Sequence, residues 1–176
     1  MHAFPICTER MELIPATVKL YLLDLHDRAG LATALNASVP GEWPPEQITS
    51  EVIEEFLKLM RAGDRKIWSF YWLAQPDDCD PNVLIGSGGF LASAKGSLEL
   101  GYSVLPTYQQ QGYATEAVRS MVEWAFSALR IDHIIAYTYP HLIASIRVLE
   151  KNGFTFAGNG PEEGTITYEL RNRHKN

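Results

Sequence analysis

Residues 98–126 read "LELGYSVLPTYQQQGYATEAVRSMVEWAF", and the fold turns on how this stretch divides. Leu98 to Leu105 is an apolar, strand-like run. Beyond it the period changes: Ala114, Ala117, Val118, Met121, Val122, Ala125, Phe126 and Leu129 form one helical stripe. The next apolar run, "HIIAYTY" (133–139), is a continuous strand of the buried type. Strand, helix and strand in that order make a crossover unit, so the two strands are expected to be parallel neighbours. "PTYQQQGYA" is then the turn from strand to helix. The first turn of a helix leaves N–H groups without intrahelical partners, and their partial positive charge attracts phosphate. Gly112 lets the backbone approach a ligand closely, because it has no Cβ, and Ala114 is small for the same reason. The glutamines carry no charge, so the backbone must supply most of the binding. An acidic protein can therefore hold a pyrophosphate without a basic patch. Taken alone, the turn is equally readable as a plain loop and cap, with glutamines for solubility.

The flanking sequence reads as further alternating elements. "MELIP" (11–15) is a short strand, and residues 17–35 are helical, with a break expected near Gly30. The Pro-punctuated "SVPGEWPPEQ" is a loop. Residues 49–62 place Val52, Ile53, Phe56, Leu57 and Met60 on one helical face, with Gly63 suited to the C-terminal cap. "IWSFYWLA" (67–74), "VLIGSGGFLAS" (83–93) and "SLELGYSVL" (97–105) are strands, joined by turns at "DDCDPN" and "AKG". Such short connections favour antiparallel pairing. "SIRVLEKNG" is a short helix stopped by Gly153, and "TITYEL" is a last strand. The sum is a mixed α/β (α+β) domain filling residues 1–176, its largely antiparallel sheet flanked by helices.

Bulk properties exclude several functions. With 176 residues, 46% of them hydrophobic, the chain suits one core. A net charge of −6 argues against a nucleic-acid surface, and the basic run Arg171 to Lys175 reads as a solvated tail. Cys7 and Cys79 make neither a disulfide framework nor a metal cluster. No apolar run reaches the ~20 residues that cross a bilayer, and the N-terminus lacks a signal-peptide core. A cytoplasmic, metal-free protein is expected. "GSGGFL" (86–91) is a poor dinucleotide fingerprint, because the third glycine is missing and the segment continues as a strand.

Four segments together resemble one family. Gln109-x-x-Gly112-x-Ala114 after an apolar strand is similar to the acyl-CoA pyrophosphate loop of the GNAT N-acetyltransferase superfamily. "GYATEA" and "ASIRVLEKNGF" (144–154) resemble its ribosomal-protein N-terminal acetyltransferase branch, as do "CTERMELIPAT" and "LELGYSVLPTY". The resemblance implies a mostly antiparallel twisted sheet of six to seven strands with about four helices and one parallel pair at the cofactor cleft. It implies acetyl-CoA as co-substrate. The backbone of Gln110, Gln111, Gly112, Tyr113, Ala114 and Thr115 should cradle its pyrophosphate. Ser103, Val104 and Leu105 should pair with the pantetheine arm. A bulge at Gly101 should open the gap, and the Val104 N–H should polarise the thioester carbonyl. Lys151 is either a phosphate contact or a solvated lysine.

The sequence departs from the family where an Asn and a Tyr are usual: these positions are Leu142 and Leu149. His141 is adjacent to the first. Ser145 is either a donor to the leaving thiolate or a helix N-cap. Glu99 is the general-base candidate, and Trp43, Trp68 and Tyr102 are candidate walls of the acceptor pocket. Glu116, on the first helical turn, reads as structural. The implied activity is direct acetyl transfer to an amine in a ternary complex, by a monomer or homodimer. A protein N-terminal α-amine and a small amine are both open as acceptors, and the net charge suits a cationic one. A non-catalytic acyl-CoA sensor is the alternative that Leu142 and Leu149 leave standing.

Overall fold

The computed structural model describes residues 4–62, 67–75, 81–93 and 96–172. Its strands are β1 (Ile6–Cys7), β2 (Met11–Pro15), β3 (Ala37–Ser38), β4 (Ile67–Ala74), β5 (Asn82–Ala92), β6 (Leu98–Val104), β7 (His133–Thr138), β8 (Thr155–Asn159) and β9 (Ile166–Arg171). The helices are α1 (Val18–His26), α2 (Arg28–Leu35), α3 (Ser50–Arg61), α4 (Tyr113–Ala128) and α5 (Ile143–Lys151). All strands join one sheet in the order β1-β2-β4-β5-β6-β7-β9-β8, with β3 beside β5. Pairing is antiparallel except between β6 and β7 and between the two-residue β3 and β5. The sheet therefore has more strands than the six to seven expected. β1 and β3 are only two residues long, and β8 is an exposed edge strand with a register shift beside Gly158.

Local chemistry sets the helix ends. Thr17 and Thr49 cap α1 and α3 by accepting from the backbone N–H groups of Leu20 and Val52. The expected break at Gly30 lies three residues earlier. Asp27 both ends α1 and caps α2, accepting from the Gly30 N–H at 2.9 Å, so Gly30 sits inside a helix. A capping carboxylate, rather than glycine flexibility, divides the segment. Gly63, residues 77–80 of the "DDCDPN" turn, Cys79, and Ala94 and Lys95 of the "AKG" turn lie outside the described residues.

Strand alternation sends side chains to two cores. Met11, Leu13, Phe70, Trp72, Leu98, Leu100 and Ile134 pack with Val118, Met121 and Ala125 of α4 and Leu149 of α5. Tyr71, Leu73 and Leu84 pack on the opposite face with Leu20, Leu31 and Ile53 of the first three helices. Among the described residues no helix is long and apolar enough to cross a membrane.

The feature that positions the site is a separation of strands. β6 and β7 pair only at Leu98 with Ile134 and at Glu99 with Ile135. β6 then continues along β5, while β7 continues along β9. The expected bulge at Gly101 is absent: β5 and β6 stay in unbroken register from Ala92–Leu98 to Gly86–Val104. The gap opens because the two strands follow different antiparallel neighbours.

Candidate active-site cleft

The gap is part of a cleft of about 1230 Å³. Along its β6 wall, antiparallel alternation decides which backbone groups are free. The Leu105 N–H donates to Ile85 O at 2.8 Å, and its carbonyl accepts from the Tyr108 N–H at 2.9 Å. Leu105 is fully buried and, against expectation, its N–H is spent on β5 and its carbonyl already bonded within the protein. Val104, one residue earlier, turns its N–H and C=O toward the gap. The Gln109 amide donates to that carbonyl at 3.0 Å, leaving the Val104 N–H facing the cleft. Ser103 also lines it, but by the same alternation its backbone faces Ser87 on β5, so of the three residues expected to pair with the arm only Val104 turns its backbone to the gap.

The "QQQGYA" turn is built as a frame around a helix start. Gln110 and Gly112 both adopt left-handed backbone, with φ of 60° and 86°. Turns of this kind direct successive N–H groups into an anion-binding concavity. Gly112 is the α4 N-cap and brings no side-chain cap. The first helical bond runs from the Glu116 N–H to Gly112 O, so the N–H groups of Tyr113, Ala114 and Thr115 precede it. Gln110, Gly112, Tyr113, Ala114 and Thr115 all line the cleft. Gln109 and Gln111 are spent on the loop itself: Gln111 donates to Thr107 O at 2.8 Å.

A clamp that sequence reasoning missed holds this turn from outside. The Glu116 carboxylate accepts from Thr8 Oγ1 at 2.6 Å, the Arg10 N–H at 2.9 Å and Arg10 Nε at 2.8 Å. Arg10 also donates to Gln111 O at 3.0 Å and lies over the Tyr113 ring. Burial alone would raise the Glu116 pKa, but the Thr8 and Arg10 donors and the Arg10 charge outweigh it and hold it below 4.5. "TER" near the N-terminus thus acts on residues about a hundred positions away, a pairing that no local periodicity announces.

Across the gap, Thr138 on β7 is 5% exposed and lines the cleft, and its hydroxyl has no hydrogen-bond partner among the described residues. A ligand amide or carbonyl at this wall is the kind of partner that such a hydroxyl lacks. Together with the uncapped α4 start and the Val104 N–H, it fits a phosphorylated, amide-bearing chain such as the CoA arm. Leu149 is 1% exposed in the core, and Leu142 is the α5 N-cap position. Ser145 is therefore the third residue of α5 and not its cap. Its Oγ and its carbonyl each lie 3.2 Å from the Tyr102 hydroxyl. Burial raises the Tyr102 pKa to about 12, against the lowering effect of Ser145. His141 is exposed and stacks on Tyr139, and Lys151 lines the cleft from the last turn of α5.

The remaining candidates divide. Glu99 lines the cleft on the face opposite Leu98 and Leu100, and burial and then the charge of Glu162 raise its pKa. Trp43 is 4% exposed in the second core, with its indole N–H donating to Asp24 at 2.7 Å. It is not a cleft wall; Glu46, Gln47 and Ile48 of the same loop are. Trp68 packs against the first core and does not line the cleft, whereas Ile67, Ser69, Phe70 and Tyr71 of the same strand do. Tyr102 lines the cleft beside Ser145.

Known proteins are similar to this chain in sequence and in fold. Residues 18–155 match the family model of the acetyltransferase (GNAT) domain. YoaA of Bacillus subtilis, an uncharacterized N-acetyltransferase, is 37% identical over 101 residues, which span 52% of this chain and 57% of that protein. YjdG of the same organism is 26% identical over 152 residues, 84% of this chain and 87% of its own. Among solved structures, the ribosomal L7/L12 α-N-protein acetyltransferase RimL, in complex with coenzyme A, superposes with a TM-score of 0.65 at 18% identity. That match covers 96% of this chain and 98% of RimL and speaks for the fold alone.

Proposed function

The chain belongs to the acetyltransferase (GNAT) domain family, and from that premise we propose that it is an acetyl-CoA-dependent N-acetyltransferase acting on a primary amine. The observation that carries this reading is the parting of β6 from β7 beside an uncapped α4 N-terminus. The RimL structure, solved with coenzyme A, supports the choice of donor. Acetyl-CoA, when bound, supplies an acyl group already activated as a thioester.

In this proposal the first-turn N–H groups of Tyr113, Ala114 and Thr115 hold the pyrophosphate, with Lys151 near a further phosphate. Gln109 fixes Val104 so that its N–H faces the gap and polarises the acyl carbonyl. The Thr138 hydroxyl bonds the amide arm. Glu99 takes the proton from the attacking amine, its raised pKa being an asset to a base. The Ser145 hydroxyl, steadied by Tyr102, donates to the departing thiolate. Both substrates are bound together and the amine attacks directly, with no covalent enzyme species.

A thiol-release screen with acetyl-CoA tests the proposal, using peptides beginning in Ser, Ala or Met, polyamines and aminoglycosides as acceptors. Release well above hydrolysis with at least one amine is expected. Tight acetyl-CoA binding without release across the panel would refute catalysis.

A further inference from the structure

One carboxylate on the cleft wall has no part in the mechanism above. Asp24 of α1 lines the cleft, and its two oxygens accept from the Trp43 indole N–H at 2.7 Å and the Tyr71 hydroxyl at 2.8 Å. Both donors are neutral. Arg28, the nearby cation, donates to the backbone carbonyls of Gly41 and Trp43. Burial pushes the Asp24 pKa up even though Trp43, Tyr71 and Arg28 all pull it down. Among the described residues only these two neutral donors bond the carboxylate, which leaves two of its roughly four lone-pair sites open there. Beside it Tyr21 and Ser69 share a hydroxyl–hydroxyl hydrogen bond, and both line the cleft.

The register connects this corner to the gap. Three rows cross β4, β5 and β6 on the cleft face: Tyr71–Ser87–Ser103, Ser69–Gly89–Gly101 and Ile67–Leu91–Glu99. On each strand the middle row carries the smallest residue of the three, so it is the floor of a trough walled by Ile67, Leu91 and Glu99 on one side and by Tyr71 and the lower Ser87 and Ser103 on the other. A side chain at Gly101 would meet open space. The trough runs from Ser69, beside the Asp24–Tyr71 pair, to the edge of β6 where β7 departs, next to Glu99. Two strand spacings make it about 10 Å long.

We infer that Asp24 anchors the far end of the acceptor, and that the acceptor is an elongated diamine or polyamine with one ammonium on Asp24 and the reacting amine at Glu99. The inference rests on the acetyltransferase reading for the reacting end only; the anchor itself is a binding site. An unbranched chain suits the narrow floor, and an ammonium answers a carboxylate whose hydrogen-bond donors are both neutral. A monoamine of the same length fills the trough and leaves Asp24 unanswered.

Calorimetry with linear diamines from diaminopropane to diaminodecane, and monoamines of matching length, tests the anchor on the protein alone and on protein saturated with CoA. The expected result is a length optimum at extended nitrogen separations beyond the trough's own length of about 10 Å, because Asp24 and Glu99 lie past its two ends. There the diamine binds about tenfold or more tighter than its monoamine, a preference that Asp24→Asn erases. Acetyl-CoA affinity is unchanged in that variant. Equal binding of diamines and monoamines by the wild type, or a preference that survives Asp24→Asn, overturns the inference. Should Asp24→Asn not fold, the wild-type comparison alone decides. Failure of both CoA and acetyl-CoA to bind sinks the acetyltransferase reading instead, while the diamine titration still judges the anchor.

Discussion

Replacing Gly112 with Val attacks the turn where the donor is proposed to bind, and the structure sets the size of the effect. Gly112 has φ of 86°, and a Cβ there would meet only the end of the Arg10 guanidinium, at 3.3 Å. That group is half-exposed and can move, so the cost is mainly conformational. Holding a non-glycine residue in left-handed backbone costs about 1–2 kcal/mol, and more for a β-branched one. At roughly 2 kcal/mol the melting temperature should fall by about 4–8 °C, with the transition still cooperative. The chain relieves the strain by leaving the left-handed region, which re-aims the N–H groups of Tyr113, Ala114 and Thr115. Acetyl-CoA affinity, measured by calorimetry at a temperature where the variant is folded, should drop about tenfold or more. Gly112→Ala, with less crowding, should fall between the two. A folded Gly112→Val protein that binds acetyl-CoA as tightly as the wild type would refute the reasoning.

Other predictions address the rest of the cleft. Thr138→Val should raise the melting temperature of the free protein, because it removes an orphaned buried hydroxyl, and weaken acetyl-CoA binding by about 1 kcal/mol. Calorimetry and a thermal melt on the same sample check both signs. Glu116 has a folded pKa below 4.5, so the stability it contributes is full above that value and is lost as pH falls through the folded pKa. Urea melts should show Glu116→Gln less stable than wild type at neutral pH, with the difference shrinking on acidification. Glu99→Gln should lower kcat about 10²-fold or more while leaving acetyl-CoA affinity intact. The Glu99 pKa is raised in part by Glu162, so activity should be lost as pH falls through a value above 4.5, and Glu162→Gln should move that acid limb lower.

Sequence reading succeeded where function imposes a local pattern. The strand–helix–strand from Leu98 to Tyr139 was legible because its hydrophobic period changes at the turn, and the structure has β6, α4 and β7 there as one crossover. The glutamine-rich turn could be placed on a helix start, but its side chains were misjudged. Gln109 and Gln111 are exposed and yet brace the loop through the Val104 and Thr107 carbonyls, a role that polarity alone does not disclose. β8 escaped notice because an exposed edge strand with Gly158 at its register shift shows no apolar alternation. Trp43 and Trp68 illustrate another limit: aromatic identity does not disclose which face of a sheet or which side of a loop a ring takes. Asp24 and Thr138 had no sequence signal at all. Their interest comes from burial and from what surrounds them, which only the folded chain supplies.

The most direct test of the account is a crystal structure of the protein with acetyl-CoA. The expected complex has the pyrophosphate within hydrogen-bond distance of the N–H groups of Tyr113, Ala114 and Thr115. Its arm should pass between β6 and β7 against Thr138, and the acyl carbonyl should face the Val104 N–H. Acetyl-CoA bound elsewhere, or its arm lying outside the gap where β6 leaves β7, would contradict it.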